Sequence, residues 1–293
     1  MHEQLCLLSV HAHPDDEASK GAGTVARYHA EGVRTVLVTA TGGEEGEILN
    51  PAMDTPEVRS DISAVRAREL AEAVRIIGYD ELVLLGYRDS GMKDSEANAN
   101  PDCLAAAPLD EVVGRLVAVV RTARPQVIIT YGDDHSGYPH PDHVRVHEIS
   151  VAAFEAAGDP GLYPEAGEPY QPQKLYYSIW SRQRIIDTHA KFLELGLESP
   201  YDEGWFERRG QDETAPTTQI SLAGYEDVRR NALLAHATQV DPTSRFWFGL
   251  PPEVQRAIYP FDDYSLARSL VDSTPPETDL FAGLRETADV SWP

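Results

Sequence analysis

Short unbroken apolar runs alternate with longer segments in which apolar residues recur every three or four positions. Leu5 to Val10 is a run of strand length, and Glu17 to Glu31 after it has helical character. Val33 to Ala40 is a second run, ending in the loop Thr41-Gly42-Gly43. An amphipathic helix is predicted over Asp61 to Gly78, with Ile62, Val65, Leu70, Ala73, Val74 and Ile77 on one side. Leu82 to Leu85 is a short strand, Leu109 to Thr122 a helix, Gln126 to Tyr131 a buried strand, and a helix follows from Pro141 to Ala157. Continuous apolar strands separated by helices imply a mostly parallel sheet with helices on both faces, since each strand must be dry on both sides.

After Gly158 the pattern changes. Pro, Tyr and Trp become frequent, and the periodic segments are interrupted: strands at Lys174 to Trp180 and Ile220 to Leu222, and a helix over Tyr225 to Thr238. The expected organisation is a Rossmann-like α/β core over residues 1–158, with 159–293 as an extension packed on it and completing the substrate pocket. Length agrees, because 293 residues suit one large domain with an extension better than two full domains. The formal charge of −23 argues against a nucleic-acid partner, whose phosphates this surface would repel. No run approaches the ~18 apolar residues of a membrane span, and Met1 to Leu5 lacks the basic region that opens a signal peptide. The two cysteines, Cys6 and Cys103, fit a reducing cytoplasm better than a disulfide scaffold.

Candidate chemistry is confined to two short segments. His11-Ala12-His13-Pro14-Asp15-Asp16-Glu17 directly follows the first strand, and Tyr138-Pro139-His140-Pro141-Asp142-His143 lies beyond the strand ending at Tyr131. Both therefore fall on the carboxyl rim of the predicted sheet, where such folds bind ligands. A catalytic zinc takes three protein ligands and leaves one position open. His13 and Asp16, three apart across a turn stiffened by Pro14, can aim at one point, and His143 can close the set. Asp15 is then left free to act as general base toward the attacking water. Zinc is the expected ion, with Fe2+ the other candidate. Read alone, the first segment is equally an acidic helix start; its pairing with a second segment on the same rim favours the metal site.

His13-Pro14-Asp15-Asp16 followed by His140-Pro141-Asp142-His143 resembles the zinc-dependent deacetylases of the glucosaminyl-phosphatidylinositol deacetylase superfamily. Within it the chain is similar to the actinobacterial mycothiol S-conjugate amidases, from Ser19-Lys20-Gly21-Ala22 through Ala235-His236-Ala237-Thr238-Gln239 to Asp279-Leu280-Phe281. The resemblance implies His13, Asp16 and His143 as metal ligands and Asp15 as base. It implies His140 as a cationic electrophile, Tyr138 as a carbonyl-polarising group, and Asp142 in the catalytic set. Arg66 and Asp89 would touch inositol and sugar, and Lys20 the acyl group. The implied activity is cleavage of a mycothiol S-conjugate amide; the alternatives are deacetylation of the N-acetylglucosaminyl-inositol precursor, or an amidase dedicated to one mycothiol-conjugated biosynthetic intermediate.

Each implied contact has an ordinary alternative. Arg66 can pair with Glu69 or Glu72 on its own helix, Asp89 can simply open the turn Asp89-Ser90-Gly91, and Lys20 can be a solvated helix residue. His147 and His11 are expected to support the site from behind, and His236 either reaches substrate or packs. The loop Tyr131-Gly132-Asp133-Asp134-His135-Ser136-Gly137 departs from the usual family pattern. In it Asp133 or Asp134 is a candidate to orient His140 and raise its pKa.

Overall fold

The apolar runs of the first half become β1 (Cys6–His11), β2 (Arg34–Thr41), β3 (Glu81–Tyr87) and β4 (Val127–Tyr131). The computed structural model describes residues 4–135, 138–202, 204, 206 and 215–285. The second half adds β5 (Lys174–Ile179), β6 (Thr218–Ser221) and β7 (Phe261–Ser269) to the same sheet, in the order β3-β2-β1-β4-β5-β7-β6. β1 to β5 pair in parallel, while β7 runs antiparallel to both β5 and β6. The sheet is thus mostly parallel, as the apolar runs implied, with an antiparallel edge.

Side chains of a strand alternate between its two faces, so β1 feeds two cores. Leu8 and Val10 join Val36, Val38 and Ile128 under α5 (Leu109–Ala123) and α6 (Pro141–Ala156). Leu7 joins Leu37, Val127 and Ile129 under α2 (Ala22–Ala30), α4 (Ile62–Ile77) and the helix Glu226–Ala235. Each fully buried leucine contributes about 1.5–3 kcal/mol to this arrangement. From β1 the chain steps outward to β2 and β3, then crosses back to β4 and on to β5. The reversal of winding falls between β1 and β4, and a crevice opens beyond their carboxyl ends.

The structure departs from the sequence pattern in three places. The helix expected over Glu17 to Glu31 is split into α1 (Asp16–Ser19) and α2, because Gly21 takes φ 99° and passes the Tyr264 hydroxyl too closely for any Cβ. β7 escapes the apolar pattern because it carries Asp262 and Asp263, both buried. Asp262 is satisfied by Thr24 N–H (3.2 Å), the Thr24 hydroxyl (2.9 Å) and Arg229. The helix Arg182–Glu194 buries only Ile185 and Phe192, too few for a clear stripe. Cys6 and Cys103 are both buried free thiols. Among the described residues no helix is long and apolar enough to cross a membrane.

Candidate active site

Beyond β1 the chain turns sharply through Ala12 to Asp15 before α1 begins. Asp15 sits at φ 118° and ψ −24°, a conformation that costs a non-glycine residue about 1–3 kcal/mol. The turn is held from several sides. Ala12 N–H donates to the Tyr131 hydroxyl (2.7 Å), and Thr41 N–H donates to Ala12 O (2.9 Å). Arg66, on α4, reaches Pro14 O, Gly43 O and Asp15 Oδ2.

His13 and Asp16 converge with His143, which stands in the first turn of α6. His13 Nδ1 is 3.5 Å and His143 Nε2 3.4 Å from Asp16 Oδ2. In a tetrahedral site with bonds of ~2.0–2.1 Å, ligand atoms lie roughly 3.4 Å apart, so the spacing matches a zinc-sized ion. All three residues are buried. Burial pushes His143 down to about 4, which keeps its imidazole in the neutral, ligating form. Burial would raise the Asp16 carboxyl, but Lys20 and the two histidines hold it well below its ordinary range. The donor set therefore fits a divalent ion in distance, and Asp16 and His143 fit it in protonation as well.

A second buried group, His13, Asp89, His140 and Asp142, also brings ligand-type atoms within 4.8 Å of one another. Its hydrogen bonds read as support for the first set. Asp142 accepts from Ser90 N–H (2.9 Å) and from the Ser90 hydroxyl, and it faces His13 Nε2 at 3.2 Å. Donation of Nε2–H to Asp142 leaves His13 Nδ1 free for a metal, the usual carboxylate–histidine arrangement. Asp142, expected in the catalytic set, is thus fully buried behind His13. Asp89 opens the turn by accepting Gly91 N–H (2.8 Å) and also faces His13 Nε2 at 3.5 Å. At 3% exposure it offers little surface to a sugar.

His140 caps α6: its Nδ1 accepts Asp142 N–H at 3.2 Å. That bond puts the proton of the neutral ring on Nε2, which lies 4.0 Å from Asp89 Oδ1. Burial, and then the charge of His13, lowers the His140 pKa. With Nδ1 taken up by the Asp142 N–H, Nε2–H is the ring donor that His140 has available. The carboxylates with most influence on it are Asp142 and Asp89, in place of Asp133 or Asp134. Part of that departing loop, Ser136 and Gly137, lies outside the described residues. Tyr138 is half exposed, with its ring 5.9 Å from His140 and 5.1 Å from His143.

Asp15 keeps 31% of its side chain exposed beside this cluster, with Arg66 at 3.1 Å. Burial and the neighbouring Asp16 raise its pKa against the pull of Arg66. Arg66 is only 2% exposed and pairs with neither Glu69 nor Glu72; its bonds go to the turn that carries Asp15 and to Gly43 O in the loop after β2. Gly43 and Gly46 leave room for it, since a Cβ at either would collide with its guanidinium. Lys20 is not a solvated residue: its ammonium lies 2.5 Å from Asp16 Oδ1.

Tyr131, which reads in the sequence as an ordinary strand end, belongs to the site. Its hydroxyl donates to Asp16 Oδ2 (2.7 Å), and its ring stacks on His143 at 4.3 Å. A polar-tipped aromatic closing a buried strand beside the metal segments was the available signal. His147 supports it from behind, with Nδ1 3.1 Å from Tyr131 O, while His11 is buried with its ring against Tyr131. Tyr131→Phe should bind metal about tenfold more weakly, as losses of groups behind metal ligands do. Metal titration checks this, and unchanged affinity would mean that the His13 N–H and Lys20 alone orient Asp16.

Residues 8–154 match the model of the PIG-L family, GlcNAc-PI de-N-acetylase. The chain is 44% identical to the mycothiol S-conjugate amidase of Streptomyces coelicolor, over 98% of this chain and 100% of that one. It is 40% identical to the 1D-myo-inositol 2-acetamido-2-deoxy-alpha-D-glucopyranoside deacetylase of Streptomyces avermitilis, over 95% and 97%. Among solved structures, the conserved protein TT1542 of Thermus thermophilus superposes with a TM-score of 0.57 at 24% identity, over 92% of this chain and 98% of that one. That likeness speaks for the fold alone.

Proposed function

This chain belongs to the GlcNAc-PI de-N-acetylase family, and on that footing we propose that it hydrolyses the amide joining glucosamine to the N-acetylcysteinyl group of mycothiol S-conjugates. The products would be a mercapturic acid and glucosaminyl-inositol. The reading rests on one observation, the likeness to the S. coelicolor amidase across the whole of both chains. Residues 1–158 would carry the metal and base, and 159–293 would complete the pocket.

His13, Asp16 and His143 would hold the ion, zinc or Fe2+, which when bound supplies Lewis acidity toward the amide carbonyl and the attacking water. Asp15 takes the water's proton and, once protonated, can pass it to the departing glucosamine nitrogen. His140 Nε2–H and the Tyr138 hydroxyl donate to the oxygen on which charge develops. Lys20, held by Asp16 at the mouth of the site, would meet a polar acyl group.

The second reading is deacetylation of the N-acetylglucosaminyl-inositol precursor, favoured by the S. avermitilis relative. Both reactions attack an amide on the same sugar nitrogen, so ligands, base and oxyanion donors serve either one. Discrimination must come from the acyl side, a small acetyl group or a cysteinyl group bearing a sulfur substituent. Assayed side by side, an S-conjugate should be turned over with at least about tenfold higher kcat/KM, ~1.4 kcal/mol of differential transition-state binding. Equal or better turnover of the acetylated precursor would reject the amidase reading in favour of the deacetylase.

A further inference from the structure

Glu17 and His236 lie 219 residues apart in the chain and form a completely buried pair. His236 Nε2 is 2.5 Å from Glu17 Oε1, and Glu17 Oε2 accepts the backbone N–H of Asp15 at 2.9 Å. One carboxylate therefore links the imidazole to the peptide unit of the strained residue at φ 118°. His236 Nδ1 has no hydrogen-bond partner among the described residues, so the bond to Glu17 is the imidazole's polar attachment. A neutral ring carrying its proton on Nε2 can donate that bond, and so can the cation.

The segment holding His236 is itself immobilised. Glu69 on α4 accepts from Thr238 N–H (2.8 Å) and from the Thr238 hydroxyl (2.7 Å). Asn50 Nδ2 donates to Ala237 O (2.9 Å), and Leu49 N–H donates to Thr238 O (2.9 Å). His236 has no exposed surface, so it cannot touch a ligand without rearrangement. With Arg66 gripping Pro14 O and the Asp15 carboxylate from α4, the Asp15 turn is held at its carbonyl side, its side chain and its N–H.

We propose that His236 is a positioning residue for the general base: through Glu17 it holds the backbone of Asp15 in the conformation that aims the carboxylate at the attacking water. The inference rests on the reading of Asp15 as base. It assigns to the C-terminal half a contribution to turnover that is separate from substrate contact.

The test compares His236→Ala, His236→Gln and Asp15→Asn, singly and combined, on the substrate that the protein turns over faster in the paired assay. His236→Ala should keep its metal and its KM within about threefold, while kcat falls by roughly ten- to a hundredfold. His236→Gln, which can still donate an N–H to Glu17, should recover most of the loss. In an Asp15→Asn background His236→Ala should have little further effect on kcat, because the group it positions is gone. A crystal structure of His236→Ala should show Asp15 relaxed from its positive φ or detached from Glu17. The proposal is overturned by a rise in KM at unchanged kcat, by an undiminished loss in the Asp15→Asn background, or by an unmoved Asp15 in that crystal structure. If His236→Ala does not fold, wild-type kcat is still expected to survive largely in His236→Gln, and a full loss there with metal retained also overturns it. Wild-type activity in Asp15→Asn would instead refute the assignment of the base, leaving the structural arm to judge the link.

Discussion

His13→Ala or His143→Ala should lose the bound ion and at least about a thousandfold in rate, since a catalytic metal supplies several kcal/mol of transition-state stabilisation. The wild-type protein should carry about one divalent ion per chain, as a single three-ligand site requires. The geometry leaves no ready substitute for either histidine. Asp16 Oδ2 already accepts His13 N–H (3.0 Å) and the Tyr131 hydroxyl (2.7 Å), and Lys20 occupies Oδ1. Asp142 and Asp89 lie on the Nε2 side of His13, away from the edge that faces His143. Removal of either ring should therefore leave two ligands and a buried cavity. Elemental analysis with an activity assay checks the outcome; full metal in both variants would sink the ligand assignment.

Asp15→Asn should behave in the opposite way, keeping its metal and losing rate by roughly a hundredfold or more, the typical contribution of a positioned general base. Asn preserves the shape of the side chain and can still accept a bond from Arg66, so the turn should survive. What disappears is the capacity to take a proton. Metal loss in Asp15→Asn, with retention in Asp16→Asn, would mean that the roles of the adjacent carboxylates are reversed. The wild-type arrangement favours Asp16 as ligand and Asp15 as base: Asp16 is buried and pulled well below the ordinary carboxylate range, whereas Asp15 is partly exposed and raised. Two neighbouring carboxyls pushed in opposite directions suit one ligand and one base.

The arrangement also explains why the acidic turn is costly and yet kept. A residue at φ 118° would relax if its neighbours allowed it. Arg66 and Glu17 prevent this from two sides, and each is anchored on a different part of the chain. Arg66 was a candidate sugar contact or a helix-surface ion pair, and it is neither free nor on the surface. Asp142 was a candidate catalytic group, and it holds the ring of His13.

What the chain determined by itself is the part of the site that is local. Leu7, Leu8 and Val10 make β1 because an unbroken apolar run can be dry on both faces of a parallel sheet, and Val127 to Ile129 repeat the device in β4. The residues just beyond such strands must emerge on one rim, so His13, Asp16 and His143 were legible as a set from the chain alone. Pro141, His140 and Asp142 likewise announce the start of α6 through short-range capping. The groups that tune this set were not legible, because they arrive from distant positions and obey no local period. Tyr131 bonds Asp16 across 115 residues, Ser90 bonds Asp142 across 52, and His236 bonds Glu17 across 219. Each is a buried polar atom that must find a partner in a dry interior, and packing supplies that partner from far along the chain. Sequence pattern records which residues must be buried; which buried polar groups meet, and hence which carboxylate is a ligand's support and which histidine caps a helix, is decided when the two cores close around the sheet.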